Sequence, residues 1–264
     1  MNDGVFMSII TLTSDLGLND HYLAMVKAKI LSQKPDAQII DINNSIHKHN
    51  IAEAAFVIKT MLREFPKDTI HIVGVGTQAI DDITHVGIRY MDQYILTADN
   101  GLFSLIAEQY ADYVVELTMN VESDVRIFPM RDLYAPAAVL LSRGSSLEVI
   151  GRKLDNLKEA MLLKPTTGED YIRGSVIYVD DYGNAITNID YRMIRDTVKG
   201  REFLIGFSHK GYEMSEVMKR YSDVRMGERL ALINSAGHLE IAINQGHAAD
   251  LLGLHVGEAV IITF

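Results

Sequence analysis

Three short polar clusters follow predicted strands, and the first of them suits the binding of a sugar. This cluster is Thr13-Ser14-Asp15-Leu16-Gly17, at the carboxyl end of the first predicted strand. Open α/β sheets bind their ligands at that end of the strands. The carboxylate of Asp15 could accept hydrogen bonds from both hydroxyls of a ribose. It could equally form an Asp turn that caps the next helix, and the local sequence leaves both interpretations open.

The other two clusters are Ala98-Asp99-Asn100-Gly101 and the segment from Val179 to Asn188. An Asn-Gly pair is by itself a strong signal for a turn. The later segment places two carboxylates, a phenol, a glycine and an amide between two predicted strands, from Asp180 to Asn184. These groups could hold a polar ligand with a planar ring, although an ordinary hairpin loop has the same composition.

One glycine motif indicates a different class of protein. The run Gly74–Ala79 fits G-x-G-x-x-A directly after a predicted strand, as in dinucleotide-binding enzymes. That motif should open a helix, but residues 80–85 carry no helical apolar stripe. We therefore favour a glycine turn over a nicotinamide or flavin site.

Nine histidines raise the question of a metal site. His47 and His49 lie one residue apart, and Asp81, Asp82 and His85 form a second group. Neither group has the further ligand spacing that a zinc or iron site requires. We interpret both as solvated loop residues and expect no metal.

The elements that position these clusters alternate through the first half of the chain. Short β-rich runs predict strands at residues 8–13, 38–42, 69–73, 85–90 and 93–97. Apolar residues at helical spacing predict helices at residues 21–33, 50–65, 102–111 and 135–143. This alternation predicts an α/β domain with a largely parallel central sheet.

The last hundred or so residues show a different pattern. Short strands separated by turn residues are predicted at residues 174–179, 185–189, 202–205, 229–234, 238–243 and 259–264. They predict a small, mostly antiparallel β-domain, either a sandwich or a barrel. The segment Leu163–Gly168 is a plausible linker, so we expect an N-terminal α/β domain at 1–164 and a C-terminal β-domain at 170–264.

Composition excludes several classes of partner. The chain of 264 residues has 25 Lys and Arg against 35 Asp and Glu, a formal net charge of −10. Such a surface repels phosphate backbones and anionic membranes, so we expect no nucleic-acid or membrane partner. The absence of cysteine excludes disulfides and thiolate chemistry. No signal peptide or membrane span is visible, and we expect a soluble cytoplasmic protein.

Taken together, the polar clusters resemble the adenosine-forming S-adenosylmethionine (SAM) hydrolases, whose family also contains the fluorinase and chlorinase. The resemblance extends over nearly the whole chain. The matching segments are Thr13–Gly17 with Asp20 and Tyr22, Asp41-Ile42, Asn50–Ala55, Phe65-Pro66 through His71, Ala98–Leu102, Arg131–Pro136, Asp180–Asn184 with Thr187-Asn188, and Asn234–Ala242.

The resemblance implies an N-terminal α/β domain, a small C-terminal β-barrel and a homotrimer. It also implies that the ligand binds between the N-terminal domain of one subunit and the C-terminal domain of its neighbour. The family's reaction is an SN2 displacement at the 5′ carbon of SAM, with methionine as the leaving group. SAM is then the substrate or ligand, and no separate cofactor is expected.

Site residues carried over by position cover both ends of the ligand. Asp15 would take the ribose hydroxyls, Asp180 the methionine ammonium, and Ser235 would lie by the methionine carboxylate. Asn184 would face the adenosine, and Tyr182 would line the pocket. The resemblance assigns no catalytic residue to this sequence.

The chain departs from the family where water is activated. Hydrolytic members use an Asp, an Arg and a His to orient and activate the water. Ile72 replaces the Asp, Pro129 replaces the His, and the Arg position falls on Ala79, or on Ile83 or Thr84 with a gap. Asp82 and His85 are candidates for a replacement base, which would need hydrogen-bond reach to the attacking water.

Two hypotheses follow. In the first, the protein hydrolyses SAM to adenosine and L-methionine, or transfers the adenosyl group to another nucleophile. In the second, it is a catalytically silent module that binds SAM or adenosine.

Overall fold

The computed structural model describes residues 9–77, 83–119, 127–161, 164–207 and 211–264. The chain divides into two compact units, Met1–Met161 and Leu162–Phe264. Each unit has its own β-sheet and its own apolar clusters. Among the described residues, no helix has the length and apolar character needed to cross a bilayer.

A seven-stranded sheet, in the order β2-β1-β3-β5-β4-β6-β7, forms the centre of the N-terminal unit. Its strands are β1 (Ile9–Ser14), β2 (Gln38–Asn43), β3 (Ile70–Gly74), β4 (His85–Tyr90), β5 (Gln93–Ala98), β6 (Tyr113–Leu117) and β7 (Gly151–Lys153). The pairs β1–β2, β1–β3 and β3–β5 are parallel, and the pairs of β4, β6 and β7 are antiparallel. The carboxyl ends of β1, β3 and β5 therefore lie at one edge.

The helices of this unit are α1 (Tyr22–Gln33), α2 (Ile51–Met61), α3 (Leu102–Ile106), α4 (Ala135–Ser142) and α5 (Leu147–Ile150). A 3₁₀ turn at Leu62–Glu64 extends α2, and a π-helical turn at Met130–Tyr134 leads into α4. The side chain of Asn50 caps α2 by accepting a hydrogen bond from the Glu53 N–H. One apolar cluster joins β1 and β3 to α1 and α4, and another joins β3, β4 and β5 to α2 and α3.

The predicted α/β class is confirmed, with an antiparallel extension that the alternation did not predict. The strand β6 was missed, and α3 is shorter than predicted. The helix ends at Ile106 because Ala107 adopts an extended backbone conformation.

The C-terminal unit is built on a second sheet, a curled half-barrel in the order β11-β15-β9-β10-β14-β13-β12. Its strands are β8 (Thr166–Thr167), β9 (Tyr171–Val179), β10 (Ala185–Asp190), β11 (Leu204–Phe207), β12 (Val217–Met218), β13 (Arg229–Ile233), β14 (His238–Ile243) and β15 (Ala259–Thr263). The pairs are antiparallel apart from β12–β13, and β8 pairs with β9 outside this order.

Two short helices that the sequence did not predict complete the unit, α6 (Tyr191–Val198) and α7 (Ala248–Leu252). The side chain of Asp190 begins α6 by accepting a hydrogen bond from the Met193 N–H. The strands β10 and β14 pair side by side, with Ile186 opposite Glu240. In this pairing the Asp180–Asn184 loop, which precedes β10, lies beside the later residues of β14, and the turn between β13 and β14 lies beside the end of β10, where the Tyr191 N–H donates to the Gly237 carbonyl.

Candidate ligand-binding site

Asp15 lies directly after β1, at the edge where the parallel strands end. One carboxylate oxygen, Oδ2, accepts hydrogen bonds from the backbone N–H of His49 at 2.9 Å and of Gly76 at 3.2 Å. The other oxygen accepts no hydrogen bond from the described residues. Asp15 does not cap α1, whose N-cap is His21 and has no side-chain cap. The two loops therefore fix the carboxylate and leave half of it for a ligand.

A cavity of about 600 Å³ opens beside Asp15. This volume is in the range of sites that bind small molecules. The charged and aromatic residues that line it are Asp15, Asp20, His21, Tyr22, Lys48, His49, Phe128 and Arg131. Lys48 donates a hydrogen bond to the Asp15 carbonyl, and the guanidinium of Arg131 pairs with Asp132 at 2.6 Å. Sequence reasoning missed Lys48 and Arg131 as lining residues.

The aromatic side of this cavity is a set of packed rings. His21 stacks on Tyr22 with ring centroids 4.5 Å apart, and Phe128 meets Tyr22 edge-on at 5.7 Å. Flat apolar faces next to a fixed carboxylate can accommodate a ligand with both a sugar and an apolar group.

The Asp99-Asn100-Gly101 cluster forms the predicted turn and ties neighbouring loops together. The Asn100 amide donates to the carbonyl of Val75 at 3.0 Å, and Asp99 accepts from the Lys158 N–H at 2.8 Å. The Asn100 amide and one Asp99 carboxylate oxygen thus have hydrogen-bond partners within the same unit. The cluster is therefore a support for the loop that follows β3.

Two of the positions at which the family carries water-activating residues, Ile72 and Pro129, are apolar here. Ile72 is fully buried in the cluster with Met130, and Pro129 lines the cavity. Gly74, at the end of β3, lies so close to the Met130 side chain that an added Cβ would overlap it. Ala79 lies outside the described residues, as does the segment 78–82 that would test the dinucleotide interpretation of Gly74–Ala79.

Of the two candidates for a base, Asp82 lies outside the described residues and His85 is bonded to Tyr134. The His85 Nδ1 and the Tyr134 hydroxyl are 2.6 Å apart. Burial raises the pKa of Tyr134, so its proton stays on the oxygen. A fully buried hydroxyl must donate that proton, and Nδ1 is its partner, which places the proton of neutral His85 on Nε2.

This arrangement disfavours His85 as a general base. Burial also lowers the pKa of His85, so the ring is neutral near pH 7. One ring nitrogen already accepts from Tyr134 and the other already carries a proton. Taking a proton from water would require the Tyr134 hydrogen bond to break.

In the C-terminal unit, Asp180 organises the predicted ligand loop. Its Oδ1 accepts from the backbone N–H of Tyr182 at 3.0 Å and of Asn184 at 2.9 Å, and its Oδ2 accepts from the Asn184 amide at 3.0 Å. Gly183 has a positive φ of 77°, and the His247 ring occupies the space where its Cβ would be. Tyr182 is left 80% exposed. The loop is thus rigid at its base with a free aromatic ring at its tip.

Ser235 is exposed in the tight turn between β13 and β14. The side-chain oxygen of Asn234 holds this turn by accepting from the N–H groups of Ala236 at 3.0 Å and His238 at 3.1 Å. Behind the turn lies the buried Glu240, a residue that sequence reasoning missed because it falls within an apolar strand.

Among the described residues, no group of three His, Asp or Glu side chains could hold a metal ion. His47 hydrogen-bonds to Glu53 at 2.8 Å, and His49 lines the cavity.

Comparison with known proteins finds similarity along both units. The family described as SAM hydroxide adenosyltransferase matches through its N-terminal domain at residues 10–151 and its C-terminal domain at residues 174–261. An (R)-S-adenosyl-L-methionine hydrolase from Methanocaldococcus jannaschii is 30% identical over 96% of this chain and 95% of its own. A fluorinase from an Actinoplanes species is 25% identical over 97% of each chain. The crystal structure of an uncharacterized conserved protein from Thermotoga maritima superposes with a TM-score of 0.89 at 29% identity, covering 97% of this chain and all of the other.

Proposed function

This chain belongs to the SAM hydroxide adenosyltransferase family, and we propose from that premise that it hydrolyses SAM to adenosine and L-methionine. Relatives named SAM hydrolase align with it over nearly their full length, which supports the same reaction here. The observation that carries the proposal is the carboxylate of Asp15, fixed by two backbone donors beside the cavity. Its unbonded oxygen suits the donor hydroxyls of a ribose.

The remaining roles are assigned by position. The loop base at Asp180 would hold the methionine ammonium, with Ser235 by the methionine carboxylate. Asn184 would face the adenosine, and the exposed ring of Tyr182 would pack on the ligand.

The reaction forms a bond from the water oxygen to the 5′ carbon and breaks the bond from that carbon to sulfur. The electron pair of the broken bond goes to sulfur, which leaves as the neutral thioether of methionine. The extra proton of the attacking water passes to solvent. Because sulfur needs no proton to leave, the protein acts mainly by placing water in line and by excluding other water.

We infer a homotrimer in which each ligand contacts the N-terminal unit of one subunit and the C-terminal unit of the next. This rests on family resemblance alone. The net charge of −10 disfavours nucleic-acid and anionic-membrane partners, and a chain without cysteine is compatible with the reducing cytoplasm that we propose as its location.

The test is incubation with SAM in H₂¹⁸O, followed by chromatography and mass spectrometry. We expect adenosine above the uncatalysed background, with the label in its 5′ oxygen, together with an equal amount of methionine. The replacement of the water-activating residues favours one alternative, a silent binding module. SAM binding in calorimetry without adenosine formation would establish that alternative, and neither binding nor turnover would refute both.

A further inference from the structure

Glu240 is the most buried carboxylate among the described residues, with 2% of its surface exposed. It lies on β14, opposite Leu232 of β13 and Ile186 of β10. Burying a charged group is costly unless it is hydrogen-bonded or paired. The contacts of Glu240 therefore need an explanation.

Two neutral donors satisfy this carboxylate. The Tyr221 hydroxyl donates to its Oε1 at 2.7 Å, and the side chain of Asn234 donates a second hydrogen bond. Among the described residues, Glu240 has no Lys, Arg or His within salt-bridge distance. Burial raises the pKa of Glu240, the two hydrogen bonds counter that effect by stabilising its carboxylate form, and no cation among the described residues pairs with it.

Glu240 is connected to both proposed contacts for the amino-acid part of SAM. Through Asn234, whose other side-chain atom holds the backbone of the turn, it is linked to Ser235. On the other side it lies close enough to Asp180 for that charge to raise the pKa of Glu240, in addition to the larger effect of burial. Burial and the hydrogen bond to Glu240 raise the pKa of Tyr221, and the charge of Asp180 adds a smaller effect in the same direction.

When two carboxylates lie close enough to repel each other, a cation bound near them stabilises the charged form of both. At its amino-acid end the ligand proposed above carries two positive groups, the α-ammonium and the sulfonium, against the one carboxylate assigned to Ser235, so this end is positive overall. Adenosine carries neither positive group. A role in binding those charges can therefore be separated from a role in folding.

We propose that Glu240 is a positioning residue for the amino-acid end of SAM, which holds the Ser235 turn through Asn234 and adds its charge to that of Asp180. This inference rests on the proposed function, since it assumes that SAM is the ligand. Glu240 acts through Asn234 and Asp180, and it selects ligands that bear the charged amino-acid group over the bare nucleoside.

The experiment compares Glu240→Gln with the wild type, using SAM and adenosine as the two probes. The Gln variant keeps the shape and an acceptor for Tyr221 but removes the charge. We expect the KM for SAM to rise about tenfold, or ~1.4 kcal/mol, while the Kd for adenosine stays within about twofold. Glu116→Gln is the matched control, because Glu116 lies in the N-terminal unit, where it pairs with Arg152. It should change neither constant.

The outcomes separate the inference from the proposed function. Equal losses for SAM and adenosine, or an unchanged KM for SAM, would overturn the role of Glu240. A wild-type protein that neither binds nor hydrolyses SAM would instead overturn the function itself. If Glu240→Gln does not fold, Tyr221→Phe removes one donor at a partly exposed position. For this variant we expect a several-fold rise in the KM for SAM with little change in the Kd for adenosine. Equal effects on both ligands would again refute the inference.

Discussion

The change Asp15→Asn tests the ribose contact directly. In the wild type, Oδ2 accepts two backbone N–H groups, from His49 and Gly76. In the variant, the amide oxygen must keep facing those donors, so the NH₂ group turns toward the ligand. The ribose hydroxyls then lose their charged acceptor. Hydrogen bonds to charged groups contribute about 1.5–3 kcal/mol. We therefore expect a loss of about 2–3 kcal/mol, or about 30- to 150-fold in kcat/KM.

The assay follows adenosine release from SAM and measures the Kd of adenosine by calorimetry. Because both ligands contain the ribose, both should weaken to a similar extent, in contrast to the selective effect expected at Glu240. Asp20→Asn is the matched control, since Asp20 is an exposed carboxyl that lines the same cavity. The melting temperature should stay near that of the wild type. If Asp15→Asn and Asp20→Asn behave alike, the assignment of Asp15 to the ribose is wrong.

Three further predictions concern packing and protonation. Gly74→Ala should destabilise the fold by about 1–3 kcal/mol, because the added methyl overlaps the Met130 side chain. The control Gly206→Ala should have a smaller effect, because the nearest atom to its added methyl is 3.9 Å away. Equal melting temperatures for the two variants would contradict this. Burial lowers the pKa of His71 to about 4, so the unfolded chain binds more protons below pH 6.5 and stability falls as the pH drops toward 4. From pH 7.5 to 5 this amounts to about 2 kcal/mol, measurable by urea unfolding, and the decrease should shrink by that amount in His71→Gln. Finally, kcat should be flat from pH 6 to 9 because His85 does not act as the base; a step in that profile that disappears in His85→Gln would show the opposite.

Much of the N-terminal fold could be predicted because its strands are runs of β-branched residues bounded by turn residues. The strand at Tyr113–Leu117 was missed although Tyr113, Val114 and Val115 favour a strand, since the alternation of strands and helices gives no sign of its antiparallel pairing with β4. The π-helical turn at Met130–Tyr134 has no counterpart in the apolar period of α4, which begins at the next residue. Tertiary pairing decided these elements.

Only part of the candidate site, likewise, could be predicted from the sequence. The position of Asp15 after a strand was visible in the sequence, but its two donors come from residues 34 and 61 positions further along the chain. Glu240 was hidden because a charged residue in an apolar strand is usually expected on the solvent face. Its burial depends on Tyr221, 19 positions earlier.

The loss of the water-activating residues sets a limit on the rate without excluding turnover. A general base contributes typically about 10²–10⁴-fold where proton transfer occurs in the transition state. In this displacement the sulfonium leaves without a proton, and the water becomes strongly acidic only once its bond to carbon has largely formed. The base therefore assists only the loss of the proton, which comes late in the reaction. The in-line placement of the water oxygen and the 5′ carbon lowers the activation free energy of the displacement itself. A pocket that fixes the ribose at Asp15, as proposed, would keep that larger contribution, while Ile72 and Pro129 supply no polar group to orient the water.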